Sequence, residues 1–577
     1  MTRHRHHPHL VGSAIRVVAV LLVVVVVVPA VVVDGDLLVL PAMSLILLAW
    51  LVIALVALAH WVFTIGAPPL IATARTAASA AWSAVAEDPI GQRLHHGAAR
   101  VRRITRPLRA PARWTRRRVS LEPTGLPLTL ATVVTVAGLG GLQWLGGRVD
   151  RSRSPLSRFD LRVAEVASRL QVSGERRTME ALTHVGATRS VLLLALLLIV
   201  GALAARRARS AVLLVATLAF SSGLVTILKA SHARPRPALG RLVEHSTSFP
   251  SGHAAASLSL AFGVVLWWWS AGRRRPSLVA AVVVPLALLI GFSRAYLSIH
   301  WLSDVLAGWL CASVAAAVSF DVDQLLAHRR AVRVRPHSPA MPIAAVAAVL
   351  VVAVVAATGN HHFPTSSPPP APFRLASTEP MTVLGTIPRF SETLLGRRME
   401  PLGLVVVASE DELRAAVDQA GWTVADTLTP GRLLHTYWAG LTNRSDATAP
   451  VTPTFLDTRL EDLAIQKQSL GRGVKARHHA RLWRLPLLSP GGCPVWGVTA
   501  SLDDRVEWTV RTLFPNHHID PAIDGERDYL AAALTETRQL RDTGRFDFVG
   551  PTLGNNAAGD PFFTDGKVAL LEQTSCG

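Results

Sequence analysis

Nine apolar stretches, each near the length of a membrane-crossing helix, punctuate the first 360 residues of this 577-residue chain. They lie near 10–33, 37–62, 126–147, 190–205, 211–229, 254–270, 277–294, 300–320 and 341–358. A hydrocarbon core of about 30 Å takes ~20 helical residues to cross, and a helix satisfies its own backbone hydrogen bonds there. The spacing therefore predicts an all-α polytopic membrane bundle of about nine spans. Leu10–Val33 is too long and too valine-rich for a signal-peptide core. A second apolar run follows it, so it reads as a retained span.

Composition narrows the partners. Mean hydropathy is +0.35 while the formal net charge is +20. In a soluble chain that charge would suggest nucleic acid. Here no zinc-finger, homeodomain or RNA-binding signature accompanies it, and the apolar content points to basic cytoplasmic loops instead; no nucleic-acid partner is expected. Starting with the N-terminus inside, alternation puts Arg102-Arg103, Arg116-Arg117-Arg118, Arg206-Arg207, Arg273-Arg274-Arg275 and Arg329-Arg330 inside. Residues 148–189 land outside although they hold nine Arg and five acidic residues. Within them Phe159, Leu161, Val163, Val166 and Leu170 space as an amphipathic helix lying on the membrane, its arginines near anionic headgroups or solvated. The Trp267-Trp268-Trp269 run before an Arg cluster reads equally as an interfacial belt or as core.

The chain then divides into two N-terminal spans (1–65), a basic cytoplasmic connector (66–125), a six-span core (126–325), a ninth span with a proline-rich linker (326–375) and an exported α+β domain (376–577). The connector reads first as a solvated basic segment; as a helix it would face anionic lipids. The His4, His6, His7 and His9 run lacks fixed geometry and is not taken as a metal site.

Three fragments carry chemistry: Lys229-Ala-Ser-His-Ala-Arg-Pro-Arg236-Pro237, Pro250-Ser251-Gly252-His253, and Ser293-Arg294 followed by His300 and Asp304. All lie at ends of apolar segments, and alternation puts all three on the outer side. Lys229, Arg236 and Arg294 suit the neutralisation of phosphate oxygens. Ser251-Gly252 begins a helix whose N–H groups suit an anion, Gly252 allows close backbone approach, and Ser251 Oγ can donate one more hydrogen bond. His300 and Asp304 are four apart, so on a helix they share a face; the carboxylate would hold one ring nitrogen protonated and leave the other free to attack. His253 then suits general-acid duty. Each fragment alone reads as an interfacial anchor, a turn or a cap; their order and common side favour one site.

The order Lys-x6-Arg-Pro, Pro-Ser-Gly-His, Ser-Arg-x5-His-x3-Asp resembles the tripartite signature of the type-2 phosphatidic acid phosphatase superfamily, over about residues 126–325. The resemblance implies that His300 is a nucleophile forming a phosphohistidine, that Asp304 supports it, and that His253 protonates the leaving group. It also implies that Lys229, Arg236, Ser251, Gly252 and Arg294 hold the phosphoryl group, with no metal and no cofactor. Relatives act on phosphatidic acid, phosphatidylglycerol phosphate and polyprenyl diphosphates such as undecaprenyl diphosphate, so a lipid phosphate approached from the outer leaflet is the expected substrate. Two alternatives remain: a vanadate-dependent peroxidase, separable by vanadate-dependent halide oxidation, and a non-enzymatic lipid-binding or transport protein, against which the full constellation argues.

After Pro368-Pro-Pro-Ala-Pro372 the long apolar runs cease. Leu402–Ala408, Leu482–Leu488 and Val495–Leu502 read as strands. Ser409-Glu-Asp-Glu412 is a capping box opening a helix to Ala420, and Asp520-Pro521 begins another running to about Leu540. Asp565-Gly566 between Phe562-Phe563 and Val568–Leu571 reads as a hairpin turn. The segments Ala420-Gly-Trp422, Arg477-His-His-Ala-Arg-Leu-Trp483 and His518-Ile-Asp520 resemble the C-terminal domain of LssY-type proteins. His478, His479, His517 and His518 with Asp520 are candidates for a metal or phosphate site, or for buried and exposed pairs. Cys493 and Cys576 pair if the domain is exported and stay reduced if it is cytosolic. Cys311, inside an apolar run, reads as core.

Overall fold

The computed structural model describes residues 125–576, apart from short internal stretches of which the longest are 238–245, 328–338, 359–371, most of 427–445, 469–475 and 508–515. The expected spans at 10–33 and 37–62, the basic connector and most of the proline linker lie outside the described residues.

Among the described residues nine helices come before the strand-rich part: α1 (Leu126–Val149), α2 (Pro155–Arg169), α3 (Ser173–Val185), α4 (Thr188–Ala204), α5 (Ala208–Ser231), α6 (Gly252–Ser270), α7 (Pro276–Tyr296), α8 (Leu302–Ala327) and α9 (Ala340–Thr358). Among the described residues α1, α5, α7 and α8 are long and apolar enough to cross a membrane, and the α3–α4 pair, bent by 50°, would make a fifth span. The expectation of about nine spans is thus met only in part. Helices do form over all seven apolar stretches expected after residue 125. The outward faces of α1, α4 and α9 carry Val136, Leu192 and Val349, each more than 60% exposed, as lipid-facing helices do.

Helix α8 is the centre of the bundle. Its Val305, Ala307, Cys311, Ala312, Val314 and Ala315 are fully buried, against α6 and α7 on one side and α1 and α5 on another. Where no water drives association, small residues let helices approach closely. Gly308 shows how closely: an added Cβ would stand 2.5 Å from the Ser251 carbonyl oxygen, so the start of α6 rests directly on α8.

The bundle has two chemically distinct ends. One holds the loop before α5, the loop before α7, and the start of α9. There Arg209 pairs with Asp323 at 2.7 Å and stacks over Trp269, and Arg273 stacks over Trp268. Trp267 is fully buried, so the tryptophan run divides into one core residue and two at the basic end. The other end holds all three chemical fragments. Helix α9 starts beside the end of α4, where Gly201 meets Ala344, and therefore delivers the chain after it to the fragment-bearing end.

There a strand-rich domain follows. Its main sheet comprises β1 (Phe373–Arg374), β2 (Leu404–Val407), β3 (Thr423–Val424), β4 (Leu463–Gln468), β5 (Arg477–Leu488), β6 (Pro494–Glu507), β7 (Asn516–Ile519), β8 (Leu540–Asp547) and β9 (Lys567–Gln573). The path is β8-β9-β2-β6-β5-β4-β3, with β1 on β5 and β7 on β6. All four residues of β2 are buried, because apolar layers cover both faces of the sheet. One layer includes α10 (Glu410–Gln419) and α11 (Ile523–Glu536). Ser409 Oγ accepts from the Glu412 N–H at the start of α10, as its capping sequence requires. Helix α11 stops at Glu536, short of the expected Leu540, which instead opens β8.

The Asp565-Gly566 turn is not a hairpin. The strand before it, Pro561–Thr564, pairs with Thr552–Asn555 in a separate small sheet, while β9 after it pairs with β8 and β2. Gly566 has a left-handed backbone with φ of 76°, and a Cβ on it would lie 2.1 Å from the Gly550 backbone; the turn and the close passage of another loop both call for glycine. A disulfide joins Cys493 to Cys576, with Cα atoms 5.6 Å apart, and Cys311 is a buried free thiol.

Candidate active site

The site grows from the start of α8: Asp304 lies in its first turn, while His300 lies in the loop two residues before Leu302, not on the helix as expected. His300 and Asp304 stack four residues apart, and both are at most 2% exposed. The Asp304 Oδ2 lies 3.4 Å from His300 Nδ1, takes a hydrogen bond from the Ser248 hydroxyl, and accepts from the Trp301 N–H at 3.1 Å. Its Oδ1 accepts from Arg234 at 2.6 Å. Four neighbours therefore set this carboxylate, and it faces one imidazole nitrogen.

The other imidazole nitrogen faces Arg236. Its guanidinium stands 3.0 Å from His300 Nε2, and three further N–H groups go to the carbonyls of Ile299 and Ser246 and to the Ser246 hydroxyl. Arginine only donates, so Nε2 is the accepting nitrogen and the ring proton sits on Nδ1, beside Asp304. In that tautomer the Nε2 lone pair accepts from Arg236, which also donates to three oxygen acceptors, and an incoming phosphoryl group reaches the lone pair by drawing that N–H to itself.

The Pro-Ser-Gly-His fragment turns into α6. The Ser251 N–H donates to the Asp304 carbonyl at 2.9 Å, which ties the two helix starts together. Ser251 Oγ caps α6 by accepting from the Ala254 N–H, so its oxygen is already engaged by the protein. A Cβ on Gly252 would meet nothing within 4 Å, so the backbone is open to an approaching anion. His253 stands in the first turn of α6, half-buried. Lys229, in the last turn of α5, donates its ammonium to the Thr247 carbonyl.

Arg294 lies in the last turn of α7. It is 2% exposed, and its guanidinium reaches Thr183 of α3 at 3.2 Å. Its backbone is closer to the chemistry: the Arg294 carbonyl accepts from the His300 N–H at 3.1 Å. The described contacts thus tie Arg294 to the loop that carries His300.

Four residues of the site escaped the sequence reading. Arg234 bridges Asp304 to Asp160, with 2.7 Å to the latter, and stacks over Trp301. Ser303 donates its backbone N–H to Asp160 at 3.0 Å and accepts from Arg234 at 2.7 Å. Ser248 holds Asp304. Asp160 sits on α2, 1% exposed; burial raises its carboxyl above the ordinary range, opposed by the neighbouring Arg234. The Arg-Pro-Arg-Pro repeat could have flagged Arg234, but nothing near Asp160 in sequence announces a site.

Helix α2 itself corrects an expectation. Its apolar residues Val163 and Val166 pack with Leu394 and Phe455 of the strand-rich domain, not with lipid. Arg158 and Arg169 pair with Asp457 and Asp462 at 2.8 and 3.0 Å, and Arg162 pairs with Glu392.

The candidate histidines of the strand-rich domain whose side chains are described disperse; the side chain of His517 lies outside the described residues. His478 and His479 alternate to opposite faces of β5, the first 2.8 Å from Glu526 and the second 3.3 Å from Asp503. His518 pairs with Asp560. Three histidines with three different carboxylates make no common centre, and among the described residues no three His, Cys, Asp or Glu side chains converge as metal ligands.

Comparison with known proteins agrees with this division. Residues 210–326 match the PAP2 superfamily model, and residues 384–568 match the model described as LssY C-terminus. The first match lies within the helical bundle and the second within the strand-rich domain. Among solved structures, the "Crystal structure of the first transmembrane PAP2 type phosphatidylglycerolphosphate phosphatase from Bacillus subtilis" is 23% identical, covering 34% of this chain and 98% of that one, at a TM-score of 0.32. No curated protein matches. The PAP2 segment spans α5 to α8 and holds every expected catalytic and phosphate-binding residue; α2, with Asp160, lies before it.

Proposed function

We propose that this protein is a membrane lipid phosphatase that works through a phosphohistidine on His300. The observation that carries the reading is the imidazole's position: Nδ1 beside a fixed carboxylate, Nε2 aimed at Arg236. A phosphoryl group entering beside Arg236 meets the Nε2 lone pair. A P–N bond forms as the P–O bond to the alcohol or phosphate breaks, and His253 gives the leaving oxygen its proton. Water then attacks phosphorus, His253 takes its proton back, and the P–N bond breaks to release inorganic phosphate. Arg236, Lys229 and the α6 N-terminus supply the positive charge, so the scheme needs no metal.

The substrate side of the proposal is a phosphomonoester or diphosphate on a lipid, including polyprenyl diphosphates. An apolar bundle with the site at one end suits a headgroup presented at the membrane surface. Phosphatidic acid, phosphatidylglycerol phosphate and a polyprenyl diphosphate, offered in detergent or liposomes with and without chelator, test it. Chelator-insensitive phosphate release from at least one is expected, and release from none overturns the reading. His253→Ala is expected to lower kcat by about 10²–10⁴-fold on the lipid. The deficit should narrow on p-nitrophenyl phosphate, whose leaving group needs little protonation.

Orientation is part of the proposal: the basic end faces the cytoplasm, so the site and the strand-rich domain face outward. A reporter fused after residue 360 is expected to register outside the cytoplasm. A cytoplasmic signal there would reverse the placement of both.

A further inference from the structure

We infer that the LssY C-terminal domain is a working part of the phosphatase, because its docking on α2 positions Asp160, and through Arg234 and Ser303 the Asp304 carboxylate. The inference rests on the phosphatase reading and extends it to residues outside the PAP2 segment.

Helix α2 lies between the domain and the site. On one side Arg158, Arg162 and Arg169 recur at helical spacing and meet carboxylates of the domain. Arg162 is 2% exposed, and besides Glu392 it donates to the Asp457 carbonyl at 3.1 Å. A buried guanidinium that loses its paired carboxylate is costly, so the domain holds this helix firmly. Gly396 belongs to the same lock: a Cβ there would come within 2.9 Å of the Arg162 guanidinium.

Asp160 projects to the bundle side of α2. Its two oxygens take the Arg234 guanidinium, the Ser303 N–H and the Ser303 hydroxyl. Ser303 precedes Asp304 directly, and Arg234 binds both carboxylates at once. Leu302, the first residue of α8, packs in the same apolar cluster as Val163, Leu394 and Phe455. Polar and apolar contacts therefore run from the domain, across α2, to the helix turn that carries the nucleophile's partner.

Asp160 and Arg234 touch no reacting atom in this arrangement; they are positioning residues. Small displacements in such a shell cost rate more than binding, because the substrate is gripped by other groups, Arg236 and Lys229. The full-length protein tests this with Asp160→Asn, Glu392→Arg, Arg162→Glu and the Arg162→Glu/Glu392→Arg pair. Hydrogen exchange of the α2 amides reports docking without reference to activity. Asp160→Asn is expected to lower kcat by about 10–100-fold with KM within about threefold. Glu392→Arg is expected to speed α2 exchange and lower kcat similarly, and the charge-swapped pair to restore both. If α2 loosens while kcat holds, or if neither changes, the inference fails. Equal losses in kcat and KM without rescue by the swap also reject positioning. If the wild type releases no phosphate from any lipid, the phosphatase reading fails instead, and the exchange data still report whether the domain docks.

Discussion

His300→Ala is expected to remove phosphate release altogether, to at least about 10⁴-fold below wild type, with the protein still folded in detergent. The reason is covalent. Arg236 and Lys229 can still bind the phosphoryl group, but nothing remains within reach to form the P–N bond. Water would have to attack directly, with no histidine partner poised by Asp304. Substrate binding should survive, because the cations are unaltered, so kcat collapses while KM changes little. A rapid denaturing quench in base, which preserves phosphohistidine, should trap labelled phosphate on the wild type and none on the variant. Activity that persists in purified His300→Ala would sink the covalent route.

The second large effect is expected at Asp304. Asp304→Asn conserves shape but removes the charge that accepts from Arg234, Ser248 and the Trp301 N–H at once. An amide has one oxygen and one nitrogen, so one of those donors faces N–H groups. If the amide nitrogen turns towards Nδ1, the imidazole proton moves to Nε2 and the attacking lone pair is lost. Removing a catalytic histidine's carboxylate in this way costs about 10²–10⁴-fold in kcat by analogy with other histidine–carboxylate sites. The expected signature is a fall in kcat with a slower approach to the phosphorylated enzyme in single-turnover experiments. Full labelling at the wild-type rate, with slow release alone, would show instead that Asp304 acts after the covalent step.

The two predictions bear on different parts of one device. In the proposed route His300 supplies the bond and Asp304 its direction. The structure adds that Asp304 has a supporting partner on each side: Ser248 on Oδ2, and Arg234 on Oδ1, itself held by Asp160. Such support is what keeps a buried carboxylate in one orientation when the surrounding helices are smooth and small-residued.

Much of this was legible in the chain. Apolar runs of spanning length report helices because lipid leaves the backbone no other partner, and α1 and α4–α9 form over the stretches that predict them. Lys229, Arg236, Ser251, Gly252, His253, His300 and Asp304 share their end of the bundle because each sits at a helix terminus and the helices alternate direction. The strand run Leu404–Val407 and the Ser409 cap announce themselves by local pattern. Less legible were contacts between distant segments. The arginines of α2 look like membrane anchors until Glu392, Asp457 and Asp462 arrive from more than 200 residues away. The Asp565-Gly566 turn has the composition of a hairpin, yet its flanking strands join different sheets.

The chain alone pointed to an apolar helical bundle with a separate strand-rich domain and to the residues proposed for its site, since hydrophobic length, charge alternation and residue type act locally. Which residue supports which emerges from packing. Packing turned Arg294 towards Thr183, engaged Ser251 Oγ as a cap, gave His478, His479 and His518 three different carboxylates, and brought Asp160 to Arg234. Those pairings depend on which surfaces meet when helices and sheet pack, and a buried ion pair leaves no periodic trace in the chain that forms it.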